Sequence, residues 1–308
     1  MLQVLLSGLA IGAVYGLVGM GFATAFYVTR VINFAQGQLL MAAVMVSAAL
    51  ARTGLSPWIS ICVGVAAAAG LGAATYVIAV HPVLAFDRFS FAWLVSTLGV
   101  ALILENAAAL MWGPTSRSFP TLLNGTSVHL GGATLTMQEV AAIVAAIVCA
   151  VAFETFRRRT LFGKLGIAIA HDAEMASVIG ANTAFVAAAA FALAGALAGI
   201  GGVLIGPITY SNPYLGDTYG IAGFVALMIG GVTRPIGAMV GGFVLGILSE
   251  AANRIINTQA SDWFPFVVVV VILLLLPEGL FSIGTPLRRL ASARARARGR
   301  GRAAEAAP

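Results

Sequence analysis

Apolar runs, most of them long enough to cross a lipid bilayer, follow one another along nearly the whole chain. The long runs cover about residues 2–28, 58–80, 91–112, 139–156, 183–205 and 263–281. Three shorter runs follow the same pattern: one ends at residue 51, and the others cover 218–232 and 236–252. An α-helix needs about 20 apolar residues to span the hydrocarbon core. Only 9% of the 308 residues are charged, against about 25% in soluble domains. We therefore predict an all-α polytopic membrane protein with about eight or nine transmembrane helices, some short and discontinuous.

One hydrophilic stretch, residues 157–182, interrupts this pattern, and we call it the central polar segment. On a single helical wheel its apolar face would be formed by Leu165, Ile169, Ala176 and Ile179. Asp172 would fall within that face, where a carboxylate is costly to bury. Two short helices avoid the cost, with Asp172 as the N-cap of the second, Glu174 in its first turn and Gly180 closing it.

Such a pair of helices has two interpretations. It forms either a projection that docks into another protein or a surface element that lies on the bilayer. The residue expected to cap the following span is Asn182 or Thr183.

Cations predict the orientation of the chain. Arg157, Arg158, Arg159 and Lys164 flank the central polar segment, which places it in the cytoplasm by the positive-inside rule. Counting back through five spans places the N-terminus outside. Residues 288–308 hold seven arginines and one acid, so this tail carries the whole net charge of +6. We expect a disordered cytoplasmic tail that contacts lipid rather than nucleic acid. No cleavable signal peptide is evident.

A second polar interruption lies within VINFAQGQLLM, residues 31–41, where Asn33, Gln36, Gly37 and Gln38 break an apolar run. Polar groups at membrane depth are costly unless they face protein or water. The break is therefore either a discontinuous helix that lines a pathway or an ordinary turn just outside the membrane. The sequence leaves both open.

These stretches, in chain order, resemble the permease family of ATP-binding-cassette (ABC) importers for branched-chain amino acids. Residues 31–41 are similar to its INFA-x-G-E signature. Matches to its cytoplasmic motif are Gly163, Ala168, Asp172, Ala176 and Gly180. NPYLG at 212–216 and the Gly-rich run at 224–246 resemble two later family segments, so the similarity covers nearly the whole chain.

The resemblance implies one permease domain over residues 1–287 with a translocation path and a surface coupled to ATPases. Its implied coupling residues are Gly163, Lys164, Ala168, Asp172, Glu174, Ala176 and Gly180. Our candidates for the path are Asn33, Phe34, Gln36, Gly37, Gly230, Gly231 and Pro235. The implied setting is a bacterial inner membrane, and the implied partners are a second homologous permease, two cytoplasmic ATP-binding subunits and an extracytoplasmic substrate-binding protein. This chain carries no phosphate-binding loop, so we expect ATP to be bound by a partner and no cofactor here.

Some positions depart from the family pattern. Ile167 stands where the family usually has Arg, which removes a charge contact expected there. Gln38 replaces the usual Glu, Ala181 the usual Ile, and residues 233–235 (Thr-Arg-Pro) a Gly/Ser-rich turn.

Two other functions would make different demands on the residues within the spans. An ion-coupled secondary transporter would use ionisable groups in the membrane, and Glu105 and Glu250 are the candidates. The alternative role for Glu105 is a structural carboxyl bonded to a neighbouring helix. An intramembrane enzyme would need a metal motif, paired aspartates or a serine–histidine pair within the spans, and we find none of these. Related permeases carry amides, urea or sugars, so the substrate is not readable from the sequence.

Overall fold

The computed structural model describes residues 2–86, 91–119, 127–130, 133–255 and 260–275. Its first helices are α1 (Leu2–Thr29), α2 (Gln36–Arg52), α3 (Pro57–Thr75), α4 (His81–Phe86), α5 (Ala92–Trp112) and α6 (Met137–Arg159). The later ones are α7 (Leu161–His171), α8 (Ala173–Val178), α9 (Thr183–Thr209), α10 (Leu215–Gly230), α11 (Pro235–Ile255) and α12 (Ala260–Leu275). A π-helical turn, Tyr76–Val80, joins α3 to α4.

Six apolar helices of the described chain are long enough to cross a membrane, with α3, its π-turn and α4 counted as one. The all-α polytopic prediction is confirmed, while the number of eight or nine crossings stays a prediction. A small antiparallel hairpin, β1 (Ser127–Leu130) and β2 (Ala133–Thr136), precedes α6. Its register pairs Ser127 with Thr136 and Leu130 with Ala133.

Helix α1 runs through the middle of the bundle. In its most apolar stretch 72% of the residues are buried, against 17% in each of α5 and α6. The outer helices instead expose large apolar side chains, among them Ile103, Leu110 and Val151. Water would solvate these side chains poorly, whereas lipid or a second membrane subunit suits them. On these faces apolar side chains therefore point outwards, which is the reverse of the pattern in a soluble protein.

The closest helix pair is α1 against α11, which run antiparallel. Gly8, Gly12 and Gly16 of α1 meet Gly242 and Gly246 of α11. A Cβ added to Gly246 would lie 2.3 Å from the Gly8 carbonyl oxygen, and one on Gly242 would lie 2.2 Å from the Gly16 nitrogen. Only glycine lets the two backbones approach this closely, as in other membrane helix pairs.

The bundle has two ends, which local contacts identify. At the amino-terminal end the Gln3 amide exchanges hydrogen bonds with the Thr134 backbone, at 2.9 and 2.8 Å. The backbones of Arg117 and Ser211 pair there as well. At the opposite end Arg30 reaches the central polar segment, with Nη2 3.1 Å from the Ala170 carbonyl oxygen. The N-terminus and the central polar segment thus lie at opposite ends.

Two boundaries differ from the sequence prediction. The apolar run at 58–80 predicts that this span ends before His81, but the helix continues through His81–Phe86, and the His81 ring contacts Tyr76 at 5.8 Å between centroids. The apolar runs at 183–205 and 218–232 predict a connection over residues 206–217, which is shorter in the structure because α9 extends to Thr209 and α10 begins at Leu215. In α9 the extension is packed, since Gly206 lies against the Phe119 ring, whereas α4 buries no residue. The basic tail at 288–308 lies outside the described residues.

Candidate functional site

The central polar segment folds as two short helices that meet at Asp172. Thr160 caps α7, with its hydroxyl oxygen accepting from the Gly163 N–H at 3.1 Å. Asp172 caps α8 and accepts from the backbone N–H groups of Glu174 and Met175, both at 3.0 Å. Its extended backbone, φ −153° and ψ 103°, turns the chain between the helices. The predicted break and N-cap are both confirmed.

The C-terminal end of α8 closes as predicted. Gly180 takes a positive φ of 95°, a conformation that glycine adopts without a Cβ clash. The Ala181 N–H donates to the Ala176 carbonyl at 3.0 Å, which completes the capping pattern of a left-handed glycine. Asn182 then caps α9 by accepting from the Phe185 N–H at 3.0 Å. These contacts make the segment an ordered element, not a slack linker.

The inner face of this element packs on the bundle. Ile169, Ala176 and Val186 form a buried cluster, and Leu165 and Val28 pack against it. The prediction was wrong for one residue of this face, since the Ile179 side chain is 84% exposed. It lies beyond the end of α8, where the chain turns towards Gly180 and no longer follows the helical wheel.

The outer face presents both charged and large apolar side chains. Of the proposed coupling residues, Gly163 and Ala176 are buried, whereas Lys164, Ala168, Asp172, Glu174 and Gly180 are exposed. Leu161, Met175, Val178 and Ile179 are also exposed, each by 60% or more. We call these four side chains the apolar outer patch. Exposed apolar side chains of this kind are typical of a surface that another protein or the membrane covers.

Cationic contacts tie this element to the bundle. Arg157, in the last turn of α6, forms a bidentate pair with Glu154 at 2.7 and 2.9 Å. Its guanidinium also lies 5.8 Å from the centre of the Tyr27 ring of α1. Beneath α7 and α8 a cavity of about 350 Å³ lies against Val28, Tyr76 and His81. The segment is therefore held by its packed inner face and by Arg157, with a cavity beside that contact.

The second polar interruption lies inside the bundle. The Gln36 Nε2 donates to the Ala194 carbonyl of α9 at 2.8 Å, and a Cβ on Gly21 would lie 2.1 Å from the same Nε2. Ala194 is eleven residues into α9 and Gly21 eight residues from the end of α1, so α2 begins about 12–17 Å inside the bundle end. Of the two arrangements left open by the sequence, the structure has the discontinuous helix.

The candidate residues for the translocation path lie at different places in the bundle. Asn33 and Gln36 are fully buried, and Gly37 packs against α10, where an added Cβ would lie 2.0 Å from the Gly216 carbonyl oxygen. Phe34 lines a cavity of about 340 Å³ between α1, α2, α5 and α10. A different, smaller cavity of about 50 Å³ includes Pro235 in its lining.

The remaining two path candidates, Gly230 and Gly231, lie at the opposite end of the bundle from the N-terminus, next to Pro235. Gly230 packs on Gly237, and Gly231 turns the chain with φ 87°. They belong to the tight connection between α10 and α11.

The Phe34 cavity brings together polar groups that are far apart in the sequence. The Gln38 Nε2 donates to the Glu105 Oε2 at 3.0 Å and to the Asp217 Oδ1 at 2.8 Å. Both carboxylates line the cavity, as do Phe22 and Phe224. Glu105 was a sequence candidate, and its structural role as a carboxyl bonded to a neighbouring helix is found. Its partner Asp217 was missed, since a residue 112 positions away leaves no local signal.

Fold and site together define a multi-pass helical membrane protein with a discontinuous inner helix and an ordered surface element at one end. Within the described residues there is no grouping of three or more His, Cys, Asp or Glu side chains that could hold a metal ion. The architecture is that of a transporter subunit: broken helices beside a cavity are the usual form of a membrane pathway.

Comparison with known proteins narrows this class. Residues 4–276 match the family model described as branched-chain amino acid transport system / permease component, and the chain belongs to this family. The permease protein LivH of the high-affinity branched-chain amino acid transport system of Escherichia coli strain K12 is 31% identical over 296 residues, which is 91% of this chain and 95% of that protein.

Other relatives are similar over the same range. LivH of Salmonella typhimurium is 30% identical over 91% of this chain and 95% of its own length. The permease protein BraD of Pseudomonas aeruginosa, from the same kind of transport system, is 27% identical with the same coverage. No solved structure matches the chain.

Proposed function

We propose that this chain is a permease subunit of an ATP-driven importer in a bacterial inner membrane, and that it carries branched-chain amino acids. The observation that carries the proposal is the apolar outer patch on a capped, two-helix element. Family membership over residues 4–276 supports the substrate class. Two ATP-binding subunits, a second homologous permease and an external substrate-binding protein complete the complex, and this chain itself binds no ATP.

The central polar segment is the docking surface for the ATPase. A groove in the ATPase would cover Leu161, Met175, Val178 and Ile179, which are exposed here. Burial of such side chains contributes roughly 25 cal/mol per Å² of apolar surface removed from water. The exposed Lys164 and Glu174 would then lie at the rim, where charges add orientation more than affinity. Ile167, partly buried, supplies no charge to that contact.

Movement of the docked ATPase would be transmitted to the pathway through α1. Arg30 and Val28, at the end of α1, contact the central polar segment. Seven residues earlier on the same helix, Gly21 lies against the first residue of the discontinuous helix α2. A shift of α7 and α8 would therefore reach the break at α2 through one continuous helix. This is alternating access by the motion of packed elements.

The proposed orientation follows the cations. Arg157, Arg158, Arg159 and Lys164 place the central polar segment in the cytoplasm. The N-terminus, at the other end of the bundle, would then be outside. The amino-terminal end, with its hairpin, would face the substrate-binding protein.

A second candidate function rests on the Glu105–Gln38–Asp217 cluster. Two carboxylates beside a cavity are the kind of group that an ion-coupled secondary transporter uses. The cluster does not connect to a chain of further ionisable groups: among the described lining residues of that cavity there is no Lys, Arg or His. The importer therefore accounts for more of the structure. Amides or urea are the alternative substrate class for such a permease.

Uptake by the reconstituted complex separates these functions. The chain is placed in proteoliposomes with its partner permease and ATPases, and radiolabelled leucine uptake is measured with its binding protein, with and without ATP and a protonophore. We expect uptake that requires ATP and survives the protonophore. Uptake without ATP that collapses with the proton gradient would contradict the importer. Uptake of urea or acetamide but not leucine would reassign the substrate.

A further inference from the structure

The cavity between α1, α2, α5 and α10 has the composition of a site for a small amphipathic molecule. Its volume is about 340 Å³, near the lower end of ligand pockets, which run from about 300 to 1,000 Å³. Most of its wall is apolar, with aromatic side chains from Phe22, Phe34 and Phe224. The Phe34 and Phe224 rings lie 6.0 Å apart.

One polar corner faces this apolar wall. Glu105 from α5 and Asp217 from α10 are bridged by a single nitrogen, the Nε2 of Gln38. Gln38 is only 3% exposed, and its Oε1 has no hydrogen-bond partner among the described residues. That oxygen packs against Gly216 of α10, so the amide is held with its nitrogen towards the two carboxylates.

The charges of this corner are unbalanced. Among the described residues that line the cavity, none is a cation, and the neutral Gln38 amide supplies the donor that the two carboxylates share. Two carboxylates that share one donor nitrogen lie close together and repel each other. Glu105 is half-buried and Asp217 is exposed, so a ligand can reach both. A ligand cation placed beside them would relieve that repulsion, donate to the carboxylate oxygens and lie near aromatic faces.

We propose that Glu105 and Asp217, positioned by Gln38, bind the α-ammonium group of the transported amino acid, while Phe22, Phe34 and Phe224 enclose its aliphatic side chain. The inference rests on the proposed function and adds to it the group that the membrane domain recognises. The amide of Gln38 supplies the donor that holds the two carboxylates. A glutamate at this position would replace that donor with a third carboxylate.

The test measures occupancy of the cavity directly, without transport. In a chain whose Cys62 and Cys149 are replaced by alanine, Leu98→Cys places a thiol in the cavity wall. The assembled complex in nanodiscs is treated with a maleimide, with and without nucleotide, in the presence of candidate ligands. We expect leucine and 3-methylbutylammonium to slow labelling and 4-methylpentanoate, which lacks the amine, to leave it unchanged. Leu110→Cys, on the outer surface, is the control thiol.

Charge removal completes the test. In Glu105→Gln and in Asp217→Asn, the concentration of 3-methylbutylammonium that halves labelling should rise by about tenfold or more, as expected for the loss of a charge-assisted hydrogen bond. Glu105→Asp, which keeps the charge, should retain protection and shows that the site tolerates substitution. Glu250→Gln, a carboxyl on α11 away from the cavity, should behave as the parent.

Several outcomes would overturn the proposal. They are equal protection by 4-methylpentanoate, equal protection by sodium ions alone, unchanged protection in both charge-removed variants, and no protection in any nucleotide state. ATP-dependent leucine uptake by the same complex is scored separately. Uptake with an unprotected cavity would reject only this site, whereas absent uptake with a protected cavity would reject only the importer.

Discussion

Arg30, directly after the end of α1, donates through Nη2 a hydrogen bond of 3.1 Å to the backbone carbonyl of Ala170 in α7. It joins the central helix of the bundle to the central polar segment. Arg30 holds a positive φ of 60°, a conformation that costs a non-glycine residue free energy and persists only where surrounding contacts enforce it. The contact is therefore a built link between the two elements that the proposed mechanism moves together.

Loss of this link should weaken coupling between ATP hydrolysis and transport. For Arg30→Ala we expect the leucine transported per ATP hydrolysed to fall by about threefold, since an exposed charge-assisted bond contributes up to about 1 kcal/mol. Paired uptake and phosphate-release assays in proteoliposomes measure this ratio. Arg52→Ala, at the far end of α2, should leave it unchanged. An unaltered ratio in Arg30→Ala would contradict a role for this contact.

The Asp172 cap can be tested by a matched pair of substitutions. Asp172→Ala removes the acceptor for the Glu174 and Met175 N–H groups and should cost about 1 kcal/mol of local helix stability. Asp172→Asn keeps a side-chain acceptor and should cost only a few tenths of that. Hydrogen exchange at these two amides reports the difference. Equal exchange in the two variants would show that a side-chain acceptor at position 172 does not hold α8.

The glycine contact between α1 and α11 should be intolerant of a single methyl group. Gly246→Ala places a Cβ 2.3 Å from the Gly8 carbonyl oxygen, so the helices must move apart. Overpacking of this kind costs about 1–3 kcal/mol, and we expect a lower Tm in detergent. Gly99→Ala on α5, with nothing within 4 Å of the added Cβ, is the control and should keep or slightly raise the parent Tm, because alanine favours a helix interior. Equal Tm values would contradict the close packing.

Gln36 should matter because it holds the start of the discontinuous helix inside the bundle. Gln36→Ala removes its bond to the Ala194 carbonyl, at a cost of about 1 kcal/mol, and should lower leucine uptake by more than its effect on protein yield. Asn106→Ala, which removes an amide bonded only within its own exposed helix turn, should leave uptake unchanged. Unchanged uptake in Gln36→Ala is what a simple turn in water would give.

Local chemistry let the sequence predict much of the central polar segment. Asp172 before a short apolar stretch, Gly180 after it and Asn182 before the next span are cap signals whose partners lie within three residues or so. All three take the predicted positions. The same holds for the long spans, whose apolar runs are set by the bilayer and not by neighbours in the fold.

Contacts between distant residues could not be read in this way. The Glu105–Gln38–Asp217 cluster joins three helices, and no spacing rule connects its members. The alignment of Gly8 with Gly246 depends on which helices become neighbours in the bundle. The placement of Ile179 on the inner face was wrong because a helical wheel assumes that the helix continues, whereas α8 ends at Val178.

Docking of the ATPase on the apolar outer patch is the central claim, and co-purification tests it most directly. Val178 and Ile179 are 81% and 84% exposed. A glutamate at either position would be buried against the partner, so Val178→Glu and Ile179→Glu should each reduce ATPase recovered with the tagged permease by about tenfold. Ile255→Glu, equally exposed at the other end of the bundle, should recover the parent amount. Full ATPase recovery with Val178→Glu and Ile179→Glu combined would contradict the claim.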